Sequence, residues 1–138
     1  MAASRVFTVE EANAEVPRLS ALIERLQRGA LALERERATW TAANGTTEVS
    51  PEVLLRERPL ARRAADELNA VMTELELLGV ELKDLDLGLV DFPTEHQGHD
   101  AFLCWQYGEP EVAFWHGLDE GFVGRRPLAG ARARPPIQ

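Results

Sequence analysis

The side chains best suited to chemistry gather in the second half of the chain. A thiol and an indole adjoin at Cys104 and Trp105, and an indole and an imidazole at Trp115 and His116, with turn-forming residues between the two pairs. If residues 108–111 form a four-residue hairpin loop, Tyr107 pairs with Val112, Cys104 faces Trp115 and Leu103 faces His116. A slip of one residue exchanges the facing set, so the register decides the chemistry. One reading is a ligand pocket walled by Trp105 and Trp115, with His116 as the group that titrates near neutral pH. The other is an aromatic core in which Cys104 is a small buried hydrophobe, and for the thiol that reading is preferred.

Three carboxylates and two arginines complete the candidate set. Asp91 precedes Phe92-Pro93 and is expected at a strand end, as is His116 before Gly117. Strand ends are where a scaffold presents polar groups to a cleft. Asp91 with His116, and with Glu120 as a third group, could bind a divalent metal or work as an acid–base pair, although nothing in their spacing is a metal signature. Glu109 falls in the expected hairpin turn, at the end away from His116, where it can satisfy turn backbone. Arg125 and Arg126 follow Gly121-Phe122-Val123-Gly124 and could clamp an anion, but pairing with the chain's own acids is favoured. His96 and His99 form HxxH in an expected loop rather than on a helix face, which makes it a weak signal.

Several function classes lose support. No glycine-rich phosphate loop stands at a strand–helix junction, and there is neither a serine nucleophile elbow nor a paired CxxC. The formal net charge is −8. Residues 80–124 carry ten acids against the single base Lys83, while the four arginines from Arg125 onward have no acid among them. A nucleic-acid surface concentrates the opposite charge, so no nucleic-acid partner is expected through the folded body. No apolar run approaches the roughly 20 residues of a membrane span, and none is expected to be needed. The opening residues lack the apolar stretch of a secretory signal, and one cysteine permits no internal disulfide; the expected location is the cytoplasm.

The elements that must position these groups are readable from rhythm. Thr8 and Glu11 make a capping box, with Phe7 placed for a hydrophobic staple. Ala12, Val16, Leu19, Ile23, Leu26, Ala30 and Leu33 then recur at alternating steps of four and three, a heptad seam of coiled-coil type. Pro17 predicts a kink or restart near its beginning. Residues 41–50, with Asn44-Gly45, form the connection, and Ser50-Pro51 opens a second helix. Its seam runs Ala61, Ala64, Leu68, Val71, Leu75, Leu78, widened by Ala65 and Met72. Pro59 predicts an irregular start and Gly79 a stop. Leu22, Leu31 and Leu77 lie off the seams, so a further layer is needed: the C-terminal segment, or a second chain in a homodimer through the helices.

After Gly79 the period becomes two. Val80, Leu82, Leu85, Leu87 and Leu89 outline a strand, a bulge or turn, and a second strand entering Val90-Asp91-Phe92. Residues 93–100 read as a polar loop, 101–107 and 112–116 as hairpin strands, 117–127 as a glycine-punctuated loop, and 128–138 as a flexible tail. The expected class is α+β: a long antiparallel helical hairpin (8–79) followed by a small antiparallel β-meander (80–127), in a single domain of residues 1–127.

The order Glu81-Leu82-Lys83-Asp84, Gly88-Leu89-Val90-Asp91-Phe92-Pro93, Leu103-Cys104-Trp105, Gly108-Glu109, Phe114-Trp115-His116 and Gly121-Phe122-Val123-Gly124-Arg125 resembles an uncharacterised family of bacterial proteins, the domain of unknown function 2203 family. Phe7-Thr8 with Glu11-Ala12-Asn13 resembles that family's opening. The resemblance implies no activity, substrate or cofactor. It does imply where to look, because its motifs fall on Asp91, Cys104, Trp105, Glu109, Trp115, His116 and Arg125. Two functions are carried forward. The first is a non-catalytic interaction or scaffold protein. The alternative is a ligand-binding, metal-binding or enzymatic site in the β segment around Asp91 and His116.

Overall fold

The structure is a computed structural model and describes residues 5–128. Three helices, α1 (Val9–Asn44), α2 (Pro51–Glu57) and α3 (Pro59–Leu78), precede five strands: β1 (Glu81–Asp84), β2 (Leu89–His96), β3 (His99–Gln106), β4 (Phe114–Gly117) and β5 (Arg126–Pro127). A single 3₁₀ turn, Phe122–Gly124, leads into β5. The strands form one antiparallel sheet in the order β1-β2-β3-β4-β5, so the fold class is α+β. Contacts divide the chain into two compact units, Met1–Ile23 with Leu75–Gln138, and Glu24–Glu74.

Local rules set the helix ends. Thr8 Oγ1 accepts the Glu11 N–H at 3.1 Å while Glu11 Oε1 accepts the Thr8 N–H at 2.9 Å, the reciprocal capping box. Phe7 is buried, meets Phe92 edge-on at 5.1 Å, and donates its N–H to the Pro93 carbonyl. α1 runs through Pro17 as one helix. Ser50 caps α2 by accepting the Val53 N–H, with Pro51 in the first turn, where a missing N–H leaves no bond unmade. Arg58 adopts φ −122° and ψ 98° ahead of Pro59 and separates α2 from α3. Gly79, at φ 85°, donates to Glu76 O while Val80 donates to Leu75 O, the paired bonds of a Schellman stop.

Within Glu24–Glu74 the helices run antiparallel, as the pairs Arg25–Glu67 and Glu36–Arg58 require. Leu26, Ala61, Ala64 and Val71 are buried there, while Ala30, Leu33 and Leu68 are half-buried. Of the three flanking leucines, Leu22 is buried in the sheet-bearing unit, whereas Leu31 and Leu77 are exposed.

The sheet departs from expectation in four places; one is Arg126–Pro127, which pair with β4 inside the expected 117–127 loop. Residues 93–100 are not a loop. β2 and β3 pair without interruption from Leu89↔Gln106 to His96↔His99, closed by Gln97 and Gly98 at φ 53° and 81°, the backbone of a two-residue type I′ turn. Pro93 is tolerated because it lies beyond the last β2 residue paired with β1, and its carbonyl takes the Phe7 N–H there. The β3–β4 register is one residue from the expected one: Cys104 faces Phe114, Leu103 faces Trp115 and Phe102 faces His116. The loop between those strands is longer than four residues, since the Val112 N–H is taken by Asn13 Oδ1 at 2.7 Å instead of continuing the ladder. Finally, Leu128 is buried and donates its N–H to Ala113 O, so the expected tail does not begin there; residues 129–138 lie outside the described residues.

Register fixes the faces. Val90, Phe92 and Thr94 align with Trp105, Leu103 and Ala101, and Leu103 with Trp115. That face packs on the N-terminal segment, where Thr94 Oγ1 donates to Phe7 O. Asp91, Cys104 and Phe114, with Phe102 and His116, occupy the other.

Candidate functional site

Three adjacent strands bring an acid, a thiol and an imidazole together on the second face. Asp91 of β2 stands opposite Cys104 of β3, and His116 of β4 lies diagonal to Cys104. All three are no more than 2% exposed. Their Oδ, Sγ and ring-nitrogen atoms lie within 4.8 Å of one another, and among the described residues no other three His, Cys, Asp or Glu groups do so. They form the floor of a cleft of about 300 Å³, with Phe102, Leu118 and Phe122 as apolar walls and Lys83 and Asp84 at its side. Asp91 sits in mid-strand rather than at the expected strand end.

Hydrogen bonding sets the imidazole tautomer. His116 Nδ1 is 2.8 Å from the Gly117 carbonyl, which can only accept, so Nδ1 carries a hydrogen and Nε2 faces Asp91 Oδ2 at 2.9 Å. One proton therefore lies between Nε2 and Oδ2: an imidazolium with a carboxylate, or a neutral imidazole with a carboxylic acid. The Cys104 thiol donates to the same carboxyl. Burial pushes the Asp91 carboxyl above its ordinary range, with His116 and the thiol pulling the other way. Burial also pushes the Cys104 thiol up to about 12, despite the nearby Arg125 charge, so it is no activated nucleophile in this arrangement.

The other predicted residues form a second, structural set. Glu109 and Arg125 pair at 2.7 Å with side chains 4% and 7% exposed. Glu109 Oε1 also accepts the Gln106 N–H at 2.6 Å, and its carbonyl accepts the Trp105 indole N–H, so it satisfies turn backbone as expected. Arg125 lies between the rings of Phe114 and Phe122, at 4.1 and 4.7 Å, and donates to the Cys104 carbonyl at 3.3 Å. Glu109 Oε2 and Arg125 Nε are buried without a partner. Trp105 and Trp115 lie on the sheet face away from His116, so they do not wall a pocket with it; Trp115 stacks on His96 at 4.1 Å. Glu120 accepts the Gly117 N–H at 2.7 Å and pairs with Arg126, apart from the cluster. Both arginines thus pair with acids of the β segment.

Of the residues named from sequence, the fold brings Asp91 and His116 together and adds Cys104, which reads from sequence as plain core. The overlooked signal was Gln97-Gly98. Taken as a two-residue turn, it places Asp91 directly opposite Cys104.

An α+β protein with a buried Asp–Cys–His cluster under an open cleft is the class that fold and site define. The chain belongs to the family described as "Uncharacterized conserved protein (DUF2203)", whose model matches residues 5–128. No curated protein and no solved structure matches it. Among the described residues no helix is long and apolar enough to cross a membrane.

Proposed function

We propose that the protein binds a small molecule in the cleft above Asp91 and His116. The observation that carries this reading is the 2.9 Å contact between those two groups at the floor of a concave, apolar-walled site. Buried ionisable groups cost free energy unless they are paired, and a pair opening onto a cleft can exchange its one proton with a ligand. The ligand would set an apolar body against Phe102, Leu118 and Phe122 and turn a hydrogen-bonding end toward Asp91 and His116. A fragment screen followed by NMR tests it. Fragments should shift the resonances of His116, Phe102 and Leu118 together, and H116Q should weaken the same fragments. A screen in which no fragment moves those residues overturns the reading.

A second reading, interaction through the helices, draws on Leu31, Leu60 and Met72, large apolar side chains of the helical unit that are exposed. It requires a dimer in sedimentation equilibrium, weakened by L31E; a monomer at all concentrations removes it.

A further inference from the structure

We infer that the cleft floor is a transition-metal site of the zinc class, with Asp91, Cys104 and His116 as three protein ligands and a fourth position facing the cleft. The inference deepens the small-molecule reading, because a ligand in the cleft would reach that fourth position, and it rests on the same opening.

Four observations converge. The donor set is one thiolate, one imidazole and one carboxylate, which selects zinc, cobalt or iron over magnesium or calcium, whose ligands are oxygens. The candidate ligand atoms already lie within 4.8 Å of one another, and two ligands about 2.0 Å from a tetrahedral ion stand roughly 3.3 Å apart. Closing Asp91 and His116 around an ion therefore needs their 2.9 Å contact to open by only a few tenths of an ångström. The His116 ring is already oriented as a ligand: Nδ1–H is anchored on the Gly117 carbonyl, the support that metal-bound imidazoles commonly have, and Nε2 points inward. The three residues come from three hydrogen-bonded strands, so the backbone holds them in place before any ion arrives.

Charge balance points the same way. A dication with one thiolate, one carboxylate and one neutral imidazole sums to zero, which suits a site this buried. Binding must expel two protons to solvent, one from the thiol and one from the Asp91–His116 contact. Lys83, the cation at the cleft side, is held by Glu81 at 2.7 Å. Arg125 reaches the Cys104 carbonyl and is paired with Glu109. Glu120 is turned to Gly117 and Arg126, so three protein ligands are what the described residues supply.

The test uses the full chain without a histidine tag, stripped with chelator and titrated with Co²⁺ and then Zn²⁺. One Co²⁺ per chain should bind, with a thiolate-to-cobalt band in the near ultraviolet and strong visible bands of a four-coordinate ion; Zn²⁺ should abolish both. C104S should lose the ultraviolet band, and D91N and H116Q should weaken Co²⁺ binding by at least about tenfold to a hundredfold. If those variants fail to fold, the wild-type spectrum still decides. Absence of the thiolate band in folded wild-type protein, or a band that survives C104S, overturns the metal site. Fragment binding to metal-free protein is read separately: fragments that bind while cobalt does not sink the metal site alone, and cobalt that binds while fragments do not sinks the small-molecule reading alone.

Discussion

The helical unit holds its charge pairs in or near water, whereas the sheet-bearing unit adds to such exposed pairs, Lys83–Glu81 and Arg126–Glu120, two that are buried. In Glu24–Glu74, Arg25 meets Glu67 at 2.8 Å with side chains 33% and 43% exposed, and Arg37–Glu34 is similarly open. In the sheet-bearing unit, Asp91–His116 and Glu109–Arg125 are almost wholly out of water. An exposed pair exchanges water for a partner at nearly equal free energy and is screened by salt. A buried pair has a large desolvation cost, and its geometry must be held by the rest of the fold. The helical unit therefore depends on its apolar seam, while the sheet-bearing unit has polar groups committed to particular places, as a site requires.

Deleting one partner of a buried pair gives the largest expected contrast. R125L leaves Glu109 charged and unpaired, and should lose about 3–5 kcal/mol in urea unfolding. The double variant R125L/E109L removes both charges and should recover most of that. A small loss in the single variant would show that Glu109 reaches water, and the contrast between units would fail.

Next come the glycines. At Gly88, φ is +68° and an added Cβ would lie 2.6 Å from Tyr107 Cβ, so G88A should cost about 2–4 kcal/mol. At Gly29, in the helical unit, an added Cβ meets Leu68 Cδ2 at 3.1 Å, the end of a side chain that can move. The helix-propensity gain of about 1 kcal/mol should offset that crowding, leaving G29A near neutral. Thermal denaturation of both variants measures the difference.

The buried thiol sets a smaller, pH-dependent effect in metal-free protein. Its folded value is raised from 9.0 to about 12, so the unfolded chain gives up the proton first and the folded state binds more protons in that window. Stability from this group is fully present below pH 9 and is lost as pH rises toward 12. Near pH 10 the loss should be about 1 kcal/mol. C104A should flatten this limb relative to wild type, whatever its own offset; parallel alkaline profiles would show the thiol ionises as readily folded as unfolded.

The smallest expected effect is on the exposed pair. R25Q should alter the melting temperature only slightly at low salt and not at all near 1 M salt. A loss comparable to that of R125L would erase the distinction between the two units.

The sequence was most legible where structure depends on near neighbours. The Thr8–Glu11 capping box, the Ser50-Pro51 start and the stop at Gly79 all involve residues within five positions of one another; Pro59 read only as an irregular start, whereas it follows a break between two helices. Asp91 and His116 were readable as a candidate pair, and the Glu109 and Arg125 side chains as partners of turn backbone and acids. Cys104 was not readable as part of the site, because a lone cysteine among apolar residues has the pattern of core. The tryptophans were misplaced for two reasons. Trp115 adjoins His116 in one strand and must face the other way whatever the register, and the face of Trp105 relative to His116 depends on a register that the Gly108–Glu111 motif alone does not set.

By itself, then, the sequence determined the starts of α1 and α2, the stop at Gly79, the change of period after it and the acidic character of the β segment. Each of these follows from interactions spanning a turn or two of chain. The sequence determined neither the extension of α1 to Asn44 nor the split at Arg58. The tertiary structure decided which side chains share a face: that Asp91 meets His116 across 25 residues, and that Asn13 takes the Val112 N–H across 99. A one-residue slip in a strand carries every side chain to the opposite face, and only contacts distant in sequence can forbid that slip.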